Sequence, residues 1–328
     1  MSKILDTSST RQEAVILLNM GGPNNLYEVE VFLKNMFNDP CILPIQSPFW
    51  RKLLASFIVK MRKEKSKAIY QKIGHKSPIG GLSAKLTHRL NALDPTRHYT
   101  YAMRYTPPFA PMVFAELKAQ GFRSCLLFSM YPQYSTTTTL SSIQDALRAL
   151  KAIKFSPALT CIDRFYTHAP YNQAIVQSIT DTIKGHNPKE FVLIFSVHGL
   201  PESVIKQGDP YQAECLHHVS LLTQQLLPLR FKKIVLSYQS KVGPMKWLEP
   251  STQDTIATHR RDKIIIYPLA FSIDNSETLY ELQIQYRLDA MRLAVPKFLV
   301  CPCLNDNLGF AQAVVDLVCN APRKTLSS

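Results

Sequence analysis

Short apolar runs and longer mixed stretches alternate along the chain. AVILLNMGG (14–22), YTYAMRY (99–105), SCLLFSMYP (124–132) and TCIDRFY (160–166) have the length and composition of strands. EFVLIFSVHG (190–199), KKIVLSYQS (232–240), DKIIIYPLAF (262–271) and PKFLVCPC (296–303) repeat the pattern further on. Between them lie segments such as FAPMVFAELKAQG, in which apolar side chains recur every three or four residues before a glycine stop, the signature of a helix. Strands that are apolar throughout, rather than at alternate positions, are buried on both faces, which predicts parallel sheets covered by helices. The expected fold class is therefore doubly wound α/β. The strands fall into two groups divided near 152–160, which predicts two similar halves, 1–155 and 156–328, with the last helix packing back on the first half. No repeat is visible in the residues themselves.

In open parallel sheets ligands bind beyond the carboxyl ends of the strands, so residues just after each apolar run are the first candidates for chemistry. His198, in LIFSVHGLPESV, is one. At a strand end it is either a hydrogen-bonded structural histidine or a ligand, and the second reading needs a partner. PLAFSIDNSETLYELQIQYRL supplies carboxylates: Glu277 and Glu281 are four apart, which on a helix puts both on one face, and Asp274 precedes them. The structural alternative is a capping box, with Asp274 at the helix start and Glu277 reaching back to it. Under the functional reading His198 and Glu277 face each other across a cleft, an arrangement suited to a transient ferrous site with open positions or to proton transfer. FSMYPQYSTTTTLSS (128–142) places Tyr131 and Tyr134 beyond another strand, followed by hydroxyl side chains that suit a helix start capped by Ser or Thr. It lacks the glycines of a phosphate loop.

One segment breaks the alternation. CILPIQSPFWRKLLASFIVKMRKEKSKAIYQKI (41–73) combines Pro, Trp, Phe and Leu with a basic cluster. It is too short and too charged to span a bilayer, and it reads either as a helical cover over the core or as an apolar surface resting on an anionic membrane. The whole chain of 328 residues carries 38 basic and 24 acidic side chains, a formal +14, which favours anionic partners without choosing among them. No zinc-finger spacing or aromatic RNA-binding signature supports nucleic acid, so none is expected. The polar start MSKILDTSSTRQEA lacks the apolar core of a signal peptide, and a cytoplasmic location, with possible membrane association, is expected. Seven cysteines without a Cys-x-x-Cys pair read as reduced thiols. Cys301 and Cys303 are expected to alternate along a strand and pack in the core.

Eight segments together resemble one family. LLNMGGP (17–23), KSPIGG (76–81), MRYTPP (103–108), YPQYS (131–135), SVHGLP (196–201), GDPY (208–211), YQSKVGPMKWLEP (238–250) and DNSETLYEL (274–282) look like ferrochelatase, in the family's order. The resemblance implies a chelatase-like fold of two Rossmann-like halves with four-stranded parallel sheets, an apolar lip on the first and the metal-site residues on the second. It implies insertion of Fe²⁺ into protoporphyrin IX, the last step of haem synthesis. By resemblance His198 and Glu277 are catalytic and metal-binding, and they divide metal binding and proton removal between them. Glu281, with Asp274, resembles an acidic path for metal access or proton exit. Met20, Tyr70, Tyr131 and Trp247 match positions lining the macrocycle pocket, Arg62 and Ser77 match positions near the propionates, and Arg104 and Tyr105 are also family pocket positions. The apolar lip, residues 41–62, resembles a peripheral membrane contact.

Three departures from the family pattern bear on chemistry. Asn275 stands where many members have histidine, so that residue's proton-transfer role is absent or moved. Leu140 stands where glycine is common. Thr136 occupies the first cysteine position of the iron–sulfur members and the chain ends at Ser328 without their extension, so no cluster and no permanently bound cofactor are expected. The LNMGGP opening looks more like protoporphyrin enzymes than the coproporphyrin branch. Chelation of coproporphyrin or another tetrapyrrole, and non-catalytic porphyrin or haem carriage, are the alternative readings.

Overall fold

The computed structural model describes residues 13–241, 243 and 245–326. The start read as lacking a signal peptide lies, up to residue 12, outside the described residues, as do Val242 and Pro244 of the YQSKVGPMKWLEP motif. The chain runs β1 (Glu13–Asn19), α1 (Glu28–Phe37), α2 (Pro48–Lys72), α3 (Ile79–Leu93), β2 (Arg97–Met103), α4 (Ala110–Ala119), β3 (Ser124–Ser129), α5 (Ser141–Ala152) and β4 (Ala158–Ile162). It continues through α6 (Ala169–Ile183), β5 (Phe191–His198), α7 (Glu202–Lys206), α8 (Tyr211–Leu226), β6 (Lys233–Gln239), α9 (Thr252–Thr258) and β7 (Lys263–Pro268). α10 (Tyr286–Arg292), β8 (Phe298–Val300), α11 (Leu308–Asn320) and β9 (Lys324–Thr325) complete it. π-helical turns at Thr136–Leu140 and Glu277–Gln285 lead into α5 and α10.

The strands form two sheets, β2-β1-β3-β4-β9 and β6-β5-β7-β8. All neighbours are parallel except the short β9, which adds an antiparallel fifth strand to a sheet expected to have four. The sheets divide later than residue 155, because β4 pairs with β3 and belongs to the first sheet. β8 ends at Val300, so Cys301 and Cys303 lie just past the strand instead of alternating along it, and both are nonetheless buried.

The uniform apolarity of the strands has the expected cause. Val15 and Leu17 of β1 point into one core and Ala14, Ile16 and Leu18 into another, so both faces are covered. In β5, Leu193, Phe195 and Val197 join the same core as Val15 and Leu17, while Val192 and Ile194 face a separate one. A single apolar core therefore runs between the two sheets, and α11 closes it with Phe310, Val314 and Leu317 while packing on α6 and α3.

Polar contacts fix the halves more specifically, and they converge on the loop after β3. Gln133 donates to the Leu269 carbonyl beyond β7 (3.5 Å) and pairs with the buried His218 of α8 (2.7 Å). The Tyr134 N–H donates to Glu214 (2.7 Å), and the Ser272 hydroxyl donates to the Met130 carbonyl (2.6 Å). Asp209 accepts from the Ser135 hydroxyl (2.9 Å), the Thr136 N–H (2.7 Å) and the Thr136 hydroxyl (2.6 Å). The expected Ser cap is Ser135, whose hydroxyl accepts from the Thr137 N–H (3.1 Å). Three further motifs close on one another: the Gly22 N–H donates to Thr106 (3.0 Å), and a Cβ on Gly22 would sit 2.5 Å from the Ser77 hydroxyl. Only glycine allows that approach.

Because Asp209 is buried and satisfies several donors at once, Asp209→Ala orphans them and is expected to cost about 3 kcal/mol. Asp209→Asn keeps an acceptor and is expected to cost under half as much, as read by urea denaturation; equal and negligible losses would remove Asp209 from the joint.

Candidate active site at the carboxyl edge of the second sheet

Three adjacent strands deliver the site. β5 lies between β6 and β7, and the register pairs His198 with Gln239 at the ends of β5 and β6. The chain leaves β7 through a loop into the π-helix that opens with Glu277. Gly199 lets β5 end this close to β6: its N–H donates to the Gln239 carbonyl (2.8 Å), and a Cβ there would also lie 2.8 Å from that oxygen.

His198 Nδ1 lies 2.9 Å from Glu277 Oε2. An ionised carboxylate only accepts, so Nδ1 carries the hydrogen and, in the neutral ring, Nε2 holds the lone pair. Both groups sit deep among protein atoms, yet 34% of the His198 side chain and 24% of that of Glu277 stay open, as at the bottom of a recess. The Phe271 ring stands edge-on to the imidazole at 6.5 Å, and the Tyr211 hydroxyl donates to the His198 carbonyl (3.0 Å).

Ser240 links the second carboxylate. Its hydroxyl contacts Glu277 Oε2 at 2.8 Å and Glu281 Oε2 at 2.5 Å, and its N–H donates to Glu281 Oε1 (3.0 Å). Glu277 and Glu281 thus share a face as their spacing predicts, although the helix between them is π, a form concentrated at functional sites. Ser240 holds a left-handed backbone, φ +66°, which costs a non-glycine residue about 1–2 kcal/mol. One hydroxyl has one proton, so it serves one carboxylate while the other contact calls for a protonated carboxyl. Gln239 donates to Glu277 (3.4 Å) and the Tyr286 hydroxyl to Glu281 (3.1 Å).

The charges follow from this packing. Burial disfavours the imidazolium of His198, but the charge and hydrogen bond of Glu277, with Glu281 behind it, outweigh burial and raise the pKa above 6.5. Burial likewise pushes Glu277 up, and the His198 charge with bonds from His198, Ser240 and Gln239 pulls it below 4.5 overall. Glu281 is not bonded to the imidazole: burial and then the Glu277 charge raise it, against the Ser240 and Tyr286 bonds and the weaker pull of His198. His198 therefore contributes stability below 6.5 that is lost as pH rises through its folded pKa. Glu277 contributes above 4.5 and loses its contribution as pH falls through its own, so both are present between those values.

The capping alternative fails on geometry. Asn275 and Thr278 make the reciprocal box, the Asn275 N–H donating to the Thr278 hydroxyl (3.0 Å) and Asn275 Oδ1 accepting from the Thr278 N–H (3.4 Å). Asp274 turns the other way, accepting from Asn305 Nδ2 (2.7 Å) and the Cys303 N–H (3.4 Å), and so is not brought to the Glu277–Glu281 pair.

Of the remaining candidates, Tyr70 reaches the π-helix, its hydroxyl donating to Ser276 (3.3 Å). Trp247 bridges to Pro201 just after His198, with its buried indole N–H unpartnered. Met20 sits where the main core meets the core of α1 and α2. Arg62 lies over the Phe37 ring at 5.5 Å, with burial lowering its pKa. Ser77 is buried against Gly22. Arg104 and Tyr105 are not brought to His198: they surround Asp39, which takes Arg104 Nη2 (3.0 Å), the Tyr105 hydroxyl (2.8 Å) and the Ser141 hydroxyl. Tyr131 is buried beside that knot. Ser240, Gln239, Tyr286 and Asp39 were not singled out by the sequence reading; for the first two the signal was their place at the end of a strand adjacent to β5.

A family model described as Ferrochelatase matches residues 12–321. The chain belongs to the ferrochelatase family. It is 59% identical to a ferrochelatase of Helicobacter pylori over 321 residues, 96% of each chain, and 58% identical to that of Helicobacter acinonychis over 96% of this chain and 94% of the relative. In fold it is similar to SirB from Bacillus subtilis with Fe³⁺, at TM-score 0.55 and 12% identity, covering 74% of this chain and 88% of that one. Within this ferrochelatase chain the eight motifs sit at the strand ends and joints described above.

The charge balance of the pair gives a direct test. With Glu277→Gln the main raising interaction goes while burial and the weaker pull of Glu281 stay, so the His198 pKa, followed by NMR titration of the ring, is expected to fall from its raised value; an unchanged or higher value would contradict the pairing.

Proposed function

We propose that this protein inserts Fe²⁺ into protoporphyrin IX, with His198 and Glu277 handling metal and protons. The observation that carries the reading is the 2.9 Å His198–Glu277 contact, partly open at the carboxyl edge of the second sheet, in a chain of the ferrochelatase family. Insertion releases two pyrrole N–H protons as the macrocycle takes up the dication. An imidazole whose Nδ1–H is held by Glu277 presents Nε2 as the free lone pair, suited to meet Fe²⁺ or to accept one proton. Ser240 joins Glu277 to Glu281, and the raised pKa of Glu281 favours its taking up a proton and passing it outward. Asp274 is left out of this path.

Met20, Tyr70 and Trp247 are the ring contacts this reading favours, since Tyr70 and Trp247 adjoin the Glu277 and His198 segments respectively. Arg62 remains the candidate for a propionate, and Ser77 supports it by holding the Gly22 loop. Tyr131, Arg104 and Tyr105 act through the shape of the wall they pack. Fe²⁺ is a substrate here, and no resident cofactor is invoked; both the N–H and hydroxyl of Thr136 are bonded to Asp209.

α2 supports a peripheral membrane contact in a cytoplasmic protein. No helix among the described residues is long and apolar enough to cross a membrane. Of the 25 residues of α2 only Ala55, Val59 and Tyr70 are buried, and Phe49, Trp50, Leu53, Leu54, Phe57 and Met61 are exposed. That face, flanked by lysines and arginines, suits an anionic bilayer from which an apolar porphyrin would arrive.

Anaerobic incubation with Fe²⁺ and protoporphyrin IX is expected to give enzyme-dependent haem spectra. His198→Ala and Glu277→Gln should each lower turnover by about 10²–10⁴-fold with porphyrin affinity nearly intact. Near-normal turnover in His198→Ala would remove the imidazole from the reaction, and coproporphyrin outcompeting protoporphyrin would reassign the substrate.

A further inference from the structure

A second recess opens beside the amino end of α2, away from His198. It has a volume of about 600 Å³ and is lined by Asn38 and Asp39 after α1, Arg51 in the first turn of α2, Arg104 after β2, and Asp145 and Arg148 of α5. Arg104 bridges the two acids, bonding Asp39 (3.0 Å) and Asp145 (3.2 Å), and with Arg51 and Arg148 the lining carries one cation more than it has acids. Arg148 touches Asp145 only at 3.5 Å and is 54% exposed. Arg51 donates from Nη1 to the Ile45 carbonyl (2.8 Å), but its Nε is buried without a partner. Arg51 and the loosely paired Arg148 thus carry between them the one positive charge the two acids leave unmatched. Asn38 Oδ1 is buried and unpartnered in the same wall, so the recess presents an unmet acceptor as well as unmet donors.

Its position narrows the ligand. Arg51 follows Phe49 and Trp50, which are 67% and 60% exposed and begin the apolar face of α2. The free amino end of a helix of 25 residues adds positive potential there. A ligand that offers anionic oxygens to arginine and a hydroxyl to Asn38, while its remainder lies along an apolar helix, is a glycerophosphate headgroup on its lipid. We propose that this recess binds the headgroup of an anionic glycerophospholipid and so sets the angle at which α2 meets the bilayer; this rests on the membrane reading of α2 given above.

Sedimentation with phosphatidylcholine vesicles containing phosphatidylglycerol tests it, using the full chain. The double variant Arg51→Gln/Arg148→Gln is compared with Lys52→Gln/Lys60→Gln, which removes the same charge from exposed positions of α2. Any basic residue near an anionic surface is worth about five-fold in partitioning. The arginine pair is expected to lose at least ten-fold more affinity than the lysine pair, with unfolding midpoints alike. Equal losses would overturn the headgroup site. So would calorimetric binding of free glycerol 3-phosphate to the native recess with vesicle affinity untouched in the arginine variant, which assigns the recess to a soluble phosphate. Phe57→Ser separates the two readings: if neither it nor the arginine pair alters vesicle binding, the membrane contact itself fails; if it weakens binding and the arginine pair matches the lysines, only the headgroup fails.

Discussion

The geometry of this protein hangs on how the loop after β3 is held by the second half. Apolar packing between the sheets brings them together but is not directional. The contacts of Gln133, Tyr134, Ser135 and Thr136 with Leu269, His218, Glu214 and Asp209 are directional, and all four partners sit on elements beyond residue 200. Buried polar groups of this kind are costly when misaligned, so they select one arrangement of the halves. His218 makes the point: burial drives its pKa down to about 3, and the neutral ring sits between Gln133 and Asn172. That one arrangement brings the Tyr70 hydroxyl of the first half to Ser276, next to Glu277 of the second.

Within the site, balance matters more than any single group. A buried imidazole or carboxylate alone would neutralise; together each shifts the other toward its charged form without fixing the ring there, so a neutral ring can still offer Nε2, and Ser240 and Gln239 steady the acid. Glu281, buried and beside the Glu277 charge, feels His198 only at a distance, and its pKa is raised. Two carboxylates four residues apart therefore differ in chemistry because one faces a histidine and the other a tyrosine. The left-handed Ser240 backbone is the local strain that goes with this arrangement.

Much of this was legible in the residues. Strand apolarity gave the parallel sheets, because a strand covered on both faces has no reason to alternate, and the rule about carboxyl ends pointed to His198. The spacing of Glu277 and Glu281 placed them on one face even though the helix proved to be π. What was not legible depends on long-range partners. Asp274 looked like a cap or a path residue because nothing local reveals Asn305 across the next strand. Arg104 and Tyr105 belong to family motifs, yet their side chains turn to Asp39, some 65 residues away in sequence, beyond two helices and β2 in an order no local pattern encodes. The division between sheets was placed too early because β4 looks the same whichever sheet it joins.

The proposed reaction has His198 meet the iron through Nε2 while Glu277 holds Nδ1 from behind. X-ray absorption at the iron edge of the protein loaded anaerobically with Fe²⁺, without porphyrin, addresses it most directly. One imidazole is expected in the iron shell, lost in His198→Ala; in Glu277→Ala it is kept but iron binds more weakly, because Glu277 holds Nδ1 on the side of the ring away from Nε2. An iron shell unchanged in His198→Ala would overturn this.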